Sequence, residues 1–148
     1  MKKPKNEVKI TFHSRSVNER LARSIVAAFA AQADPSVSVL ADLRTAVSEA
    51  VTNAIVHAYP DEMGKITMTL KLYDDGRLTV KIADRGCGIP DVAEAMTPLF
   101  TTGGEDRSGL GFSVMESFCD KVKVRSKVGK GTAVTLYKTL TEKGGESR

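Results

Sequence analysis

The sequence has few of the features on which several protein classes depend. Its longest uninterrupted apolar run, residues 25–31, has seven residues, whereas a helix that crosses a bilayer needs roughly 20. The basic start leads into polar residues, so we expect neither a membrane span nor a secretory signal. Cys87 and Cys119 are the only cysteines, and neither belongs to a CxxC pair. Two such cysteines cannot build a disulfide framework, which favours a reducing cytoplasm.

Metal-binding and nucleic-acid-binding signals are also scarce. The two histidines, His13 and His57, predict no metal site, and no zinc or RNP-type motif is present. Aromatic residues make up 5% of the chain and Trp is absent, so stacking platforms for single strands are few. The net charge is +4, with a basic region at 121–148 and an acidic one at 84–120. We interpret this as a solvated basic edge and predict no direct nucleic-acid partner and no membrane partner.

Length and periodicity predict one α/β domain. The 148 residues, 41% of them hydrophobic, suffice for a single core, which we place at about 7–140 within one domain, 1–148, that ends in a polar tail. The predicted order is strand, two helices, hairpin, short helix, loop, helix and final hairpin. Alternating strands with one polar face predict a two-layer α/β sandwich with a mixed, mostly antiparallel sheet and helices on one side.

The two long helices are predicted from their apolar stripes. The first runs from a cap at Asn18 to about Gln32 and the second from about Val37 to Ala58. The first stripe consists of Leu21, Ile25, Ala28 and Phe29, with Arg23 pointing away from it, and the second of Leu40, Leu43, Val47, Val51 and Ile55. Asp75-Gly76 predicts the turn of the first hairpin.

Asp84 breaks the pattern of its strand. It continues the parity of the apolar residues in 78–82, so if the strand persists its carboxylate points to the apolar face. A buried carboxylate needs hydrogen-bond donors or a ligand that brings them. The alternative is that the strand ends at Ala83 and that Asp84 opens a turn. Gly86 and Gly88 favour the first interpretation, because they let the backbone approach a flat ligand closely.

Glu49 and Asn53 lie one turn apart on the second helix, away from its apolar stripe. They could belong to an ordinary solvated face. However, Asn is a poor helix former and the neighbouring residues are mostly apolar, which favours the wall of a polar site. There Asn53 could give an oxygen ligand to Mg²⁺, and Glu49 could accept a proton from a nucleophile.

A glycine-rich segment at 108–112 precedes a helix predicted at about 109–120. Backbone N–H groups beside a helix N-terminus make a natural seat for a phosphate. The segment is neither a P-loop, because Leu110 stands where Lys would follow Gly109, nor a dinucleotide fingerprint, because the third glycine is missing. The Gly-Lys-Gly-Thr segment at 129–132 predicts only a hairpin turn when taken alone.

Taken together, these segments resemble the four ATP-binding boxes of the GHKL superfamily of ATPases and kinases. The four segments, in chain order, are 49–53, 84–88, 109–112 and 129–132. Within the superfamily, the runs 47–57, 98–102 and 107–109 are similar to the anti-sigma serine kinases of sporulation, and the likeness covers about 7–140.

The resemblance implies ATP and Mg²⁺ as cofactors and assigns roles to the motif residues. Asp84 would accept a hydrogen bond from the adenine amino group with support from Thr132, Asn53 would ligate Mg²⁺, and Glu49 would be the general base. The loop from Thr101 would fold over the phosphates, in a version shorter than the usual lid of the family. The further nucleotide-binding residues implied are Gly86, Gly88, Thr101, Thr102, Arg107, Ser108, Gly109, Leu110, Gly111 and Phe112, with Arg107 at the γ-phosphate.

The resemblance also implies protein partners. One is a sigma factor of the sigma F type, and the other is an anti-anti-sigma protein of the SpoIIAA type that is phosphorylated on serine. Glu19 and Arg23, expected to be exposed on the first helix, would bind these partners, and the chain would form a homodimer. Two alternatives stay open: a general-stress anti-sigma kinase of the RsbW type, and a non-catalytic module that binds ATP to set its shape.

Overall fold

The described part of the chain forms one five-stranded sheet with helices packed on one face. The strands are β1 (Asn6–His13), β2 (Lys65–Leu72), β3 (Arg77–Asp84), β4 (Lys121–Lys127) and β5 (Gly131–Thr139). The helices are α1 (Val17–Ala30), α2 (Val37–Asn53), α3 (Val92–Met96) and α4 (Phe112–Phe118), with a 3₁₀ turn at Ala31–Ala33 and a π-helical turn at Ala54–Ala58. The computed structural model describes residues 3–96 and 111–141, and predictions for 97–110 and 142–148 lie outside them.

The strand order is β1-β2-β3-β5-β4, and every neighbouring pair of described strands is antiparallel. Alternate residues of the central strands are fully buried and face the helices. The structure therefore confirms the two-layer α/β sandwich and the antiparallel character of its sheet, whereas the described strands include no parallel pair and so do not form the mixed sheet that was predicted. It also confirms the first hairpin, in which Gly76 turns with a φ of +88°. None of the described helices is long and apolar enough to cross a bilayer.

Helix α1 buries a different face from the one predicted. Its buried residues are Ala22, Val26, Phe29 and Ala30, whereas Leu21 is 44% exposed. The predicted stripe is thus wrong at Leu21 and Ala28, which are exposed, and right at Phe29 and at Ile25, which is half-buried and packs against the core. Two overlapping stripes exist one residue apart, and periodicity alone does not choose between them. The stripe with small residues faces inward, since Ala22 and Ala30 let α1 pack closely on α2.

The predicted cap of α1 is also wrong. The helix begins at Val17 with Ser16 in the N-cap position, and no side chain caps it. Asn18 instead donates its side-chain amide to the carbonyl of His13, 2.9 Å away, and so holds the end of β1 against the start of the helix.

Helix α2 has the predicted extent but changes its hydrogen-bonding pattern near its end. Ser36 caps it, because its hydroxyl oxygen accepts from the backbone N–H of Val39 at 3.2 Å. Its predicted stripe is buried at Leu43, Val47 and Val51 and half-buried at Leu40 and Ile55. After Asn53 the helix continues as the π turn 54–58. Such turns occur frequently at functional sites, and this one borders a cavity.

Candidate functional site

A cavity opens between the end of α2 and the strands β3 and β5. It is lined by Ala50, Asn53, Ala54, His57, Ala58, Ile82, Asp84, Gly88, Ile89, Phe112, Thr132 and Val134. Mostly apolar walls with a few convergent polar groups are typical of cofactor pockets. Five of the predicted nucleotide-binding residues, Asn53, Asp84, Gly88, Phe112 and Thr132, meet here.

Asp84 is the last residue of β3 and keeps the parity of the buried residues before it, as its pairing with Ile66 shows. The alternative, a strand that ends at Ala83, is wrong. The Oδ1 atom of Asp84 accepts hydrogen bonds from the backbone N–H groups of Gly86 at 2.9 Å and Thr132 at 3.1 Å. Among the described residues, none donates to Oδ2. Burial raises the pKa of Asp84, and the two backbone hydrogen bonds only partly oppose this rise.

Tyr59 anchors the chain immediately after Asp84. Its hydroxyl accepts from the backbone N–H of Arg85 at 2.7 Å and donates to the carbonyl of Lys65 at 2.8 Å. This bridge ties the end of β3 to the start of β2 and fixes the direction in which the Asp84 carboxylate points. Sequence reasoning missed this residue, because an aromatic at a helix end is ordinarily only a core side chain.

Ser126 anchors the same loop from the other side. Its hydroxyl accepts from the backbone N–H of Ile89 at 2.7 Å and lies 3.1 Å from the carbonyl of Gly131 and 2.7 Å from the hydroxyl of Thr132. A signal for it was available: Ser126 continues the inward parity of Val122 and Val124 in β4, just as Asp84 does in β3.

The two glycines after Asp84 allow backbone segments to approach each other closely. A Cβ atom at Gly86 would collide with the carbonyl of Ala58, and one at Gly88 would collide with the carbonyl of Lys127. Gly88 also has a φ of +83°, which side chains rarely adopt. The predicted close approach is therefore to the protein's own backbone, while the approach to a ligand stays a prediction.

Replacing Gly88 with alanine should destabilise the fold more than replacing Gly129, which forms a matched control. Gly129 has nearly the same φ, +81°, but no atom lies within 4 Å of the position that a Cβ would take there. Both substitutions carry the cost of left-handed backbone, about 1–2 kcal/mol, whereas only Gly88→Ala adds a backbone collision. Urea unfolding should therefore give a lower midpoint for Gly88→Ala, and Gly88→Ala alone should weaken nucleotide binding. Equal midpoints would show that the loop around Gly88 moves to accommodate the added Cβ atom without loss of folding free energy.

Glu49 and Asn53 occupy neighbouring turns of α2 but face different surroundings. Asn53 is 8% exposed and lines the cavity. Glu49 is half-buried at the cavity's edge, where a Cβ atom at Gly111 would collide with its carboxylate oxygen. Gly111 has a φ of +65° and precedes the first residue of α4. The structure thus brings the Glu49 carboxylate against the start of α4.

Glu19 and Arg23 are partly buried rather than exposed as expected. The Nε atom of Arg23 lies 2.7 Å from Oε2 of Glu19, and their side chains are 32% and 21% exposed, respectively. The hydroxyl of Ser48 on α2 donates to the same carboxylate oxygen at 2.5 Å. The reason is that α1 turns a different face toward α2 than the one predicted, so Glu19 and Arg23 lie where the two helices meet.

A second, more polar groove lies beside this ion pair. It is lined by Arg23, Ala41, Arg44, Thr45, Ser48 and Glu49. Glu49 therefore stands between the apolar cavity on one side of α2 and a solvent-open groove on the other. Of the remaining predicted residues, Thr101, Thr102, Arg107, Ser108, Gly109 and Leu110 lie outside the described residues.

Several cavity residues were missed although the sequence carried a signal for them. Ala50, Ala54 and Ala58 recur at every fourth position along the edge that holds Asn53, and small residues there leave room for a ligand. Ile82 and Val134 share the parity of Asp84 and Thr132 on their strands. His57 lies on the same edge, four residues after Asn53 and three after Ala54, so helical spacing was a signal for it as well.

Comparison with known families identifies the class of protein that this fold and cavity define. Residues 12–138 match the family model of the histidine kinase-like ATPase domain. The chain belongs to this ATPase family, and the predicted GHKL resemblance is confirmed.

The similar curated proteins narrow the class further. The chain is 50% identical to the anti-sigma F factor of Caldanaerobacter subterraneus subsp. tengcongensis over 91% of this chain and 94% of that protein. It is 49% identical to the anti-sigma F factor of Geobacillus stearothermophilus over 94% of this chain and 96% of that protein. The predicted likeness to anti-sigma kinases thus extends to individual relatives that carry the anti-sigma F name.

A solved structure supports the fold. The RsbU and RsbW domains of Rv1364c from Mycobacterium tuberculosis superpose with a TM-score of 0.68 and 22% identity, over 95% of this chain and 33% of that chain. At this identity the comparison confirms the architecture alone.

Proposed function

We propose that the chain is an anti-sigma factor and an ATP-dependent protein serine kinase. It binds a sporulation sigma factor of the sigma F type and phosphorylates a serine of an anti-anti-sigma protein of the SpoIIAA type, acting in the cytoplasm as a homodimer of single-domain chains. The names and coverage of the relatives support the anti-sigma part. The observation that carries the nucleotide part is the Asp84 carboxylate at the cavity wall.

The carboxylate of Asp84 favours a ligand that points a hydrogen-bond donor at its Oδ2 atom. Oδ1 already accepts two backbone N–H groups, while Oδ2 accepts none from the described residues. The exocyclic amino group of adenine would supply the donor, and the apolar walls formed by Ile82, Ile89 and Val134 would cover the purine. A guanine base would instead present a carbonyl oxygen to the carboxylate, so the site favours ATP over GTP.

The residues present fit a magnesium ion that arrives with the nucleotide. No cluster of three His, Cys, Asp or Glu side chains in 3–96 or 111–141 could hold a metal without a substrate. Mg²⁺ commonly takes most of its ligands from phosphates and water, with one or two from the protein. Asn53 at the cavity wall would be that protein ligand, and the ion would neutralise charge on the transferring phosphoryl group.

We assign the role of general base to Glu49. It accepts the proton from the serine hydroxyl as the serine oxygen bonds to the γ-phosphorus, and the bond from that phosphorus to the β-γ bridging oxygen breaks to release ADP. Its position between the cavity and the polar groove lets nucleotide and acceptor approach from opposite sides of α2. Arg23 lines that groove and is held by Glu19, which supports their proposed role in binding partner proteins.

The proposal is tested by incubating the purified chain with γ-labelled ATP, Mg²⁺ and candidate anti-anti-sigma proteins. Label should appear on a serine of one partner, and only when that partner is present. A sigma factor captured by the same chain would complete the assignment, and preference for a general-stress partner would favour the RsbW-type alternative. ATP binding with no label on any partner would favour the non-catalytic module, and label on a histidine of the chain itself would contradict the proposal.

A further inference from the structure

The sheet face opposite the helices concentrates basic side chains. The register of the strands places the following residues at its outward positions: Lys9, Lys65, Lys71, Lys81, Lys121, Lys123, Arg125 and Lys127. We call these eight residues the basic sheet face. Glu7 is the only acid at the outward positions of the described strands. Because the whole chain has a net charge of only +4, the rest of the molecule is net negative.

The charges of the basic sheet face are not neutralised within the described part of the chain. None of the eight residues belongs to an ion pair there. Arg77, a ninth basic residue at an outward position, is not counted among the eight because it pairs with Asp75 at 2.8 Å. Between the lysines, the outward positions carry Thr11, Thr67, Thr69, Thr79 and Thr135. These short hydroxyl side chains leave the face flat, and hydroxyls of this kind donate to phosphate oxygens.

The composition of this face favours a polyanion over a protein or a lipid bilayer. Seven of its eight basic residues are Lys, a residue that is depleted in specific protein interfaces, which depend on aromatic and Arg anchors. Peripheral membrane contact usually adds apolar side chains that insert between lipids. None of the large exposed apolar residues of the described chain lies at an outward position of a strand, although Val128 directly follows Lys127. Tyr137 is the aromatic residue at those positions, and the Lys121 amine lies 5.7 Å from its ring centroid.

The edge strand β4 presents a regular row of four cations. Lys121, Lys123, Arg125 and Lys127 alternate along it, so neighbours stand roughly 6.8 Å apart and the row spans roughly 20 Å. Over that length, one strand of a duplex carries roughly six phosphates. β4 is an edge strand of the sheet, so a nucleic-acid duplex can reach the row of cations without contacting the helices.

We propose that the basic sheet face binds double-stranded nucleic acid through its phosphates, without reading base sequence. The proposal reverses the expectation of no direct nucleic-acid partner. It does not rest on the proposed kinase activity, since the cavity lies on the helix side of the sheet. The binding depends on charge, and it should therefore weaken steeply with salt.

The experiment compares two variants of equal net charge. Lys123→Gln/Arg125→Gln removes two cations from the edge row, and Arg15→Gln/Arg20→Gln removes two exposed cations from outside the basic sheet face. Fluorescence anisotropy with two labelled duplexes of unrelated sequence, at about 50 to 200 mM salt, gives the slope of log affinity against log salt. Both duplexes should bind equally. The edge-row variant should bind at least about tenfold more weakly at low salt with a slope shallower by about 2, while the control keeps the original slope.

Four outcomes would overturn the proposal. They are no saturable duplex binding at low salt, an equal loss in both variants, a strong preference for one duplex sequence, and binding to anionic phosphatidylserine vesicles without binding to duplexes. Thermal unfolding of each variant verifies that it is folded. If the edge-row variant changed the oligomeric mass while no form bound duplex, the face would be a contact between copies of the chain and the proposal would fail.

Discussion

Glu49→Gln is expected to lower the rate of phosphoryl transfer to the partner serine by roughly 10²- to 10⁴-fold, which is the usual contribution of a general base. Glutamine keeps the shape of the side chain that packs against Gly111 but cannot accept the proton. ATP affinity should change little, because Glu49 lies outside the lining of the cavity. Single-turnover transfer of label measures the first quantity and calorimetry with ATP measures the second.

Glu116→Gln is the matched control for this substitution. Glu116 is exposed on α4 and lines neither the cavity nor the groove, so the variant has the same charge change with no predicted loss of transfer. Full turnover in Glu49→Gln would remove this residue from its assigned role. A large loss of ATP affinity would instead identify it as a binding residue.

Asp84→Asn is expected to weaken ATP binding by about 10- to 100-fold, the value of a hydrogen bond to a charged group. The asparagine oxygen can still accept from the N–H groups of Gly86 and Thr132. Its NH₂ group would then face the adenine amino group, donor against donor. The preference for ATP over GTP should narrow at the same time. Calorimetry with both nucleotides measures these changes, and unchanged ATP affinity would refute the adenine assignment.

The same substitution should not destabilise the nucleotide-free protein at neutral pH. Burial raises the pKa of Asp84 above its usual value of 3.8, so the folded chain keeps this proton at pH values where the unfolded chain has lost it. The contribution of Asp84 to stability is thus greatest at low pH and falls as the pH rises from 3.8 through the raised pKa. Because asparagine does not titrate, the Asp84→Asn variant lacks this loss of stability with rising pH.

Thermal unfolding with and without ATP separates these two effects. Asp84→Asn should unfold at or above the wild-type temperature without ATP, and it should lose most of the upward shift that ATP produces. Asp74→Asn, at an exposed position in the first hairpin turn, is the control and should behave as wild type in both measurements. A nucleotide-free Asp84→Asn protein that unfolded far below wild type would show that the carboxylate is chiefly structural.

Local patterns predicted the parts of the site that depend on one element at a time. The alternation in 78–82 placed the Asp84 carboxylate inward, and helical spacing placed Asn53 in a wall. The same reasoning was only partly right for α1, where it placed the exposed residues Leu21 and Ala28 in the core and left Glu19 and Arg23 in solvent. Which stripe of a helix is buried depends on how closely it can approach its neighbour, and that depends on residues distant in sequence.

What the sequence by itself determined is the order of the elements, the inward parity of each strand and the four segments that mark an ATP-binding family. Only the tertiary structure decided where these segments meet, that Tyr59 and Ser126 hold the Asp84 loop, and that eight basic residues share one open face. Along the chain, these eight basic residues alternate with other residues and are separated by acidic segments. Strand register alone brings them together, because pairing is a contact between residues far apart in sequence.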